Sequence, residues 1–335
     1  METKVKPIWP TLTLLLLAPM TGEILSSSLP PLEFFRPHVM LLQMMLYGCG
    51  ALLIRELKVR KNLGWMAVFL LGMAYGIYEE GVVVRSFFDP MWMDLGFYGT
   101  YGRWIGVNWI WTVNLTIFHA FVSILSPLMI LDLLFPAYRG KSLLKKNGLI
   151  VAVIAFALMM PFGLFFAMKA TFFQIVCCFV LMGILTFIAL RLPSIHHPIE
   201  NNRKPRRFFW LALLGSIFFW LFYMLIPNLG TPELVSWWLA NGTIVYYLII
   251  TRYLDRLEEG FDASRKSRFV FGSIILLFFF DILVRMGWDG TGEDMRGLVL
   301  FSGLYMVGLI VLMIKHRPEK TLVEGTGELP LAEVS

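Results

Sequence analysis

The sequence predicts an all-α fold: a polytopic transmembrane helix bundle of about ten spans, with both termini cytoplasmic. Three observations predict it. The 335 residues are 58% hydrophobic and only 16% charged, against about 25% charged in a soluble domain, and mean hydropathy is +0.71. Apolar runs near the roughly 20 residues needed to cross a hydrocarbon core of about 30 Å recur along the chain. Lysine and arginine collect in every second connection, the pattern of the positive-inside rule.

Taken in order, the runs are 8–25, 38–54, 64–85, 106–135, 148–168, 172–190, 208–227, 233–253, 269–286 and 296–314. The first follows a short basic stretch, as in a signal peptide. It lacks a small-x-small cleavage site and carries Pro10 and Pro19, so it reads as an uncleaved span. The third contains Glu79 and Glu80. The fourth is overlong and contains Pro127, which predicts a tilt or kink. Only a short connection at Lys169 divides the fifth from the sixth. With the N-terminus and every second connection inside, 23 of the 29 basic residues lie on one face and 6 on the other.

That allocation decides what the net charge of +6 means. The basic residues, including Asn201-Asn-Arg-Lys-Pro-Arg-Arg207, form cytoplasmic collars suited to anionic lipid headgroups. Membrane lipids are the expected partners, and nucleic acid is not. The plasma (inner) membrane is the expected location. Trp92, Trp104, Trp109 and Trp111 gather near the outer end of the fourth span, as interfacial aromatics do. Cys49, Cys177 and Cys178 lie in apolar runs and read as small buried residues. Residues 1–315 form one transmembrane domain, with a polar half at 1–136 and a mostly apolar half at 147–315. The polar segment 316–335 is expected to be a disordered tail.

The polar half holds the chemistry. A carboxylate at membrane depth costs roughly 2.5–3.5 kcal/mol on insertion scales, so adjacent Glu79 and Glu80 need a partner, a wet cavity or a proton. Gly72, Gly76 and Glu80 recur every four residues and share one helix face, whose glycines allow close approach of another helix. Thr112, Thr116, His119, Ser123 and Ser126 form a polar stripe on the next span. The two faces are predicted to meet, with His119 near the glutamates. Glu23 falls near the outer end of the first span, and Arg85 five residues beyond Glu80. The expected solute or ion pathway is therefore Glu79, Glu80, His119, Arg85, Glu23, Thr116 and Ser123. Asp281 and Arg285, four apart, are expected to pair structurally, and Arg55-Glu56 to be a solvated interface pair. A purely structural cluster, with Glu79 held by a tyrosine or by Arg85, accounts for the same residues.

No His-Glu-x-x-His, Walker, dinucleotide or haem motif occurs, so neither a metal nor a cofactor is expected. Gly-rich Tyr98–Gly106 follows no strand and reads as an external loop.

Tyr78-Glu-Glu-Gly-Val-Val-Val-Arg-Ser86, followed by His119, resembles the CAAX protease and bacteriocin-processing family of intramembrane proteases. That family carries Glu-Glu-x-x-x-Arg on one span, Phe-x-x-x-His on the next, and a third motif of the type His-x-x-x-Asn. Here four residues separate Glu80 from Arg85, Leu115 stands in the Phe position, and later spans hold no histidine. The resemblance implies a glutamate-dependent peptidase in which Glu79, Glu80 and His119 are catalytic.

The leading expectation is an outward-facing intramembrane Glu/His cavity that binds or translocates a small solute or ion. The alternatives are the peptidase, acting on a membrane-embedded peptide, and a non-catalytic membrane scaffold or assembly factor.

Overall fold

The computed structural model describes residues 6–92, 95–164, 170–192, 204–257, 261–286 and 296–317. They fold as a helical membrane bundle of ten rods: α1 (Ile8–Ile24), α2 (Pro37–Arg60), α3 (Trp65–Val83), α4 (Trp109–Leu134), α5 (Lys146–Phe162), α6 (Phe172–Arg191), α7 (206–228), α8 (Glu233–Arg256), α9 (Ala263–Arg285) and α10 (Leu298–Lys315). Among the described residues, six of them (α2, α3, α4, α6, α8 and α10) are long and apolar enough to cross a membrane. The α1 and α5 helices are apolar but shorter. Ten helices match the ten predicted runs, whereas ten crossings remain an expectation. Lys169 and the tail from Pro318 lie outside the described residues.

The ends of the central rods are written locally. Asn62 adopts φ +51° just past α2, and the Leu63 N–H closes back on the Lys58 carbonyl at 2.8 Å, a left-handed helix stop. The α3 helix starts immediately afterwards and is capped from a distance. Asp255, on α8, accepts the backbone N–H groups of Trp65 and Met66, satisfying donors that a helix start leaves open. Glycine at position 64 makes room for it, since a Cβ there would sit 2.4 Å from the Asp255 carboxylate. Asn108 caps α4 by accepting the Trp111 N–H at 3.0 Å. Thr171 and Gln174 form a reciprocal capping box on α6.

The α3 and α4 helices form the interior. Within their most apolar stretches 89% of residues are buried, against 11% for α6, which therefore faces outward. The glycine face of α3 lies on α4. A Cβ at Gly72 would be 2.6 Å from the Ala120 Cα, and one at Gly76 would be 3.1 Å from the Thr116 Cα and the His119 Cβ. Only glycine permits that approach. The α2, α6 and α8 helices pack around α3, and one hydrophobic core runs from Leu14 to Leu312.

Arg55 and Glu56 depart from expectation, being 4% and 1% exposed. The segment after α4 folds across the end of α2 and supplies partners to both. Glu56 accepts the backbone N–H groups of Leu143 (2.7 Å) and Leu144 (3.3 Å), the Ser142 hydroxyl and Arg60. Arg55 donates to the carbonyls of Tyr138 and Lys141. A saturated network explains their burial. At the opposite end, the segment read as an external loop is partly folded inward: Tyr98 is buried in the core, and Arg103–Trp104 pairs with Val107–Asn108 in a small antiparallel hairpin. Ile105 and Gly106, both at positive φ, make its turn.

Candidate functional site

Four helices widen locally where the ionisable residues sit. Wide π-type turns occur at Met20–Ile24 on α1, Met44–Gly48 on α2, Tyr78–Val83 on α3 and His119–Leu125 on α4. They carry Glu23, Tyr47, Glu79 with Glu80, and His119, respectively. Such insertions loosen the hydrogen-bond ladder and re-aim side chains, and they collect at functional sites. On α4 the widened turn lies just before Pro127, whose ring removes a backbone donor. Ser126 answers by donating to the Phe121 carbonyl at 2.9 Å.

The His119 imidazole stands between the two glutamates. Its Nε2 lies 3.1 Å from Glu80 Oε1, and its Nδ1 lies 3.2 Å from Glu79 Oε2 and 3.1 Å from the Ser123 hydroxyl. Glu79 and His119 are each 2% exposed. Nδ1 has hydrogen-bond geometry only toward Ser123, which leaves Glu79 Oε2 buried without a hydrogen-bond partner. Both glutamates therefore face the histidine.

Each side of the centre is supported. Glu80 accepts the Ser86 hydroxyl, which in turn accepts the Trp111 indole N–H at 3.0 Å. Across the centre, the Tyr47 hydroxyl stands within hydrogen-bonding reach of Glu23 and of Glu79. The Tyr75 hydroxyl faces Glu79 without closing a bond of normal geometry. The rings of Tyr47 and Tyr75 both pack on His119, with centroids 5.8 and 5.9 Å away. Glu23 is half-buried and the others are buried, so a polar line runs from Glu23 through Tyr47 to Glu79, His119, Glu80, Ser86 and Trp111.

The other expected residues are placed as follows. Thr116 contributes its backbone, against Gly76. Arg85 adopts φ +69° at the end of α3, and its Nε donates to the Val82 carbonyl at 3.4 Å. No ion pair joins it to either glutamate among the described residues. Asp281 accepts hydroxyls from Ser27 (2.6 Å) and Ser302, tying α9 to α10 and to the segment after α1. The Arg285 side chain, its expected partner, lies outside the described residues. Trp111 is buried rather than interfacial, because the indole N–H finds Ser86 inside.

Sequence reasoning passed over Tyr47, Tyr75, Ser86 and Trp111. Tyr75 lies four before Glu79 and Trp111 eight before His119, so helical spacing could have found both. Nothing local marks Tyr47 or Ser86, which reach the centre through the fold.

A family model described as "Uncharacterized membrane protein family" matches residues 12–315. The chain belongs to that family. The match runs from α1 into the last turn of α10, so the family is defined over the whole bundle and not over the Glu/His centre alone. A protein of Archaeoglobus fulgidus, described as uncharacterized, is 24% identical over 310 residues, covering 88% of this chain and 94% of the relative. No solved structure matches. The family description names no protease, and no comparison carries the resemblance to the CAAX proteases.

Chemically, the centre can hold a proton or a cation. Glu79, Glu80 and His119 each offer one ligand atom, all within 4.8 Å of one another. Oxygen and imidazole donors suit zinc or manganese, although sequence spacing alone pointed to no metal.

Proposed function

We propose that this multi-pass membrane protein binds or translocates a small solute or ion, with Glu79, Glu80 and His119 as its cation-binding centre. The observation that carries this reading is one imidazole within 3.2 Å of two consecutive buried carboxylates, one of which keeps an unpartnered oxygen. Charge counting makes the argument. One imidazolium against two carboxylates leaves one net negative charge, and an unneutralised charge in a low-dielectric interior is costly. One added proton removes it. A divalent cation with a neutral imidazole does the same, so proton and metal are exchangeable occupants.

The polar line supplies a route. A proton arriving at half-buried Glu23 passes the Tyr47 hydroxyl, which can both accept and donate, and reaches Glu79. Glu80, oriented by Ser86, holds the opposite ring nitrogen. In the topology of the basic collars the Glu23 end faces away from the cytoplasm, so the proposed pathway opens outward.

Purified protein in proteoliposomes with an internal pH dye tests this reading. An imposed pH step, or addition of manganese or zinc, is expected to produce proton flux that Glu80→Gln and His119→Ala abolish. Metal analysis of the purified protein separates the two occupants. Flux equal in wild type, variants and empty liposomes would refute it.

One observation favours the peptidase as second reading. Glu80 is held by Ser86 and touches His119, an arrangement suited to a general base, and the widened turn Tyr78–Val83 takes up the one residue by which its spacing exceeds the protease pattern. Cleavage of a membrane-anchored peptide library that Glu80→Gln abolishes, without any ion flux, would establish it instead.

A further inference from the structure

The α8 helix turns a polar group toward lipid. Its inward side carries Ser236, Ala240, Thr243 and Tyr247, all buried. The opposite side carries Leu234, Trp238, Val245 and Ile249, an exposed apolar stripe along the helix. Asn241 fills the one gap in that stripe, three residues after Trp238 and four before Val245, and it is exposed.

Its depth follows from the helix itself. Glu233 and Arg252 bracket the apolar stretch of α8. At 1.5 Å per residue Asn241 lies about 12 Å from the first and about 16 Å from the second, near the middle of a hydrocarbon core of about 30 Å.

An amide at that depth cannot turn to water. Asparagine has two N–H donors and a carbonyl oxygen. One N–H of Asn241 donates to the Trp237 carbonyl of its own helix at 2.8 Å. Among the described residues, nothing accepts the second N–H or donates to Oδ1. Hydrocarbon does neither, and an unmatched amide in apolar surroundings is unfavourable. Gly242, beside it, is exposed as well, and a Cβ there would meet nothing within 4 Å. No side chain at that position shields the amide from an approaching helix.

A second copy of the chain is the occupant that fits. The amide keeps one donor and one acceptor, so it is self-complementary. Copies inserted with the same topology relate by a two-fold axis along the membrane normal, which sets each residue of α8 at the depth of its counterpart. Parallel α8 helices therefore bring amide to amide in register, and the symmetry repeats the hydrogen bond. Apolar faces alone give helices little preference for one another over lipid tails, whereas polar side chains that bond across helices do.

We propose that two copies of this chain pair in the membrane through the outer face of α8, each Asn241 donating to the Asn241 carbonyl oxygen of the other. The proposal does not rest on the function assigned to the Glu/His centre.

Energy transfer between donor-tagged and acceptor-tagged full-length protein in liposomes, measured over a range of protein-to-lipid ratios, tests it. Wild type is expected to show saturable transfer, and Asn241→Leu to need at least fivefold more protein per lipid to reach the same level. A second measurement keeps Asn241 in place. Val245→Cys, one turn along the same face, should cross-link to its counterpart under mild oxidation beyond the level given by the native cysteines, whereas Leu304→Cys, comparably exposed on α10, should not. The proposal is overturned if wild type shows only the transfer of randomly mixed monomers, if Asn241→Leu pairs as tightly as wild type, or if Val245→Cys cross-links no more than Leu304→Cys.

Discussion

Substituting alanine for Gly72 tests whether the contact between α3 and α4 builds the Glu/His centre. The new methyl carbon would lie 2.6 Å from the Ala120 Cα and 3.0 Å from the Ala120 carbonyl oxygen. Both are backbone atoms and cannot swing away. Ordinary contact begins near 3.4 Å, so the helices must part by most of an ångström. Overpacking of this kind costs about 1–3 kcal/mol, and alanine returns about 1 kcal/mol through helix propensity, leaving a net loss of up to about 2 kcal/mol. His119 is the residue before Ala120, and a shift of that size stretches its 3.1 Å contact with Glu80 beyond hydrogen-bonding range. Gly76→Ala meets its neighbours at 3.1 Å and should cost only a few tenths of that loss, while Gly183 on α6 meets nothing within 4 Å and should tolerate alanine. Unfolding in mixed detergent micelles, followed by far-ultraviolet circular dichroism, gives the three midpoints. The order expected is Gly183→Ala at or above wild type, then Gly76→Ala, then Gly72→Ala. A Gly72→Ala protein as stable as Gly183→Ala would refute the glycine contact.

Other substitutions probe separate joints. Ser86→Ala leaves the Trp111 N–H and one Glu80 oxygen without a partner and should cost about 1–3 kcal/mol; a double-mutant cycle with Trp111→Phe should show strong coupling, and additivity would dissolve the chain. Gly64→Ala drives a methyl group into the Asp255 carboxylate; its thermal midpoint should fall with that of Asp255→Ala, and the pair together should be no worse than the more damaging single change. Glu56→Ala strands Arg55 and two backbone N–H groups inside the protein, a loss of about 3–5 kcal/mol; limited proteolysis should then open the chain between Arg139 and Lys146, which wild type should resist.

Much of the fold was legible because a bilayer leaves the backbone few options. Peptide groups in hydrocarbon must satisfy themselves, so each apolar run announced a helix, and each of the ten predicted runs contains one. The facing of α3 and α4 was equally readable, since glycines at intervals of four and a hydroxyl stripe are local patterns. Harder were the features owed to tertiary contact. Arg55-Glu56 looked like an ordinary surface pair because most of its partners lie in 138–144, some 85 residues away and without any sequence signature. Trp111 looked interfacial because the hydroxyl that draws its indole inward is Ser86, on another segment. The cap of α3 by Asp255 is invisible for the same reason, as 190 residues separate donor from acceptor.

The widened turns explain how these contacts can coexist. In a regular helix Glu79 and Glu80 would point in directions well apart, and only one could meet a given neighbour. Here the π-type turn on α3 lets consecutive glutamates straddle one imidazole, while Ser123, four residues beyond His119 on α4, meets the ring's Nδ1. Gly22, in the widened turn of α1, comes close enough that a Cβ would touch both the Tyr47 ring and the Ser123 hydroxyl, at 2.5 and 2.8 Å. Irregular backbone from four helices thus converges on one histidine. A loosened ladder in each helix is unfavourable taken alone. Helix packing requires only the glycines, whereas these four widened turns carry the side chains of the centre; a fifth, Leu221–Leu225 on α7, takes no part in it. That distinction sets the Glu/His centre apart from Asp281, whose two serine hydroxyls come from the segment after α1 and from regular α10 and hold it as a plain structural tie.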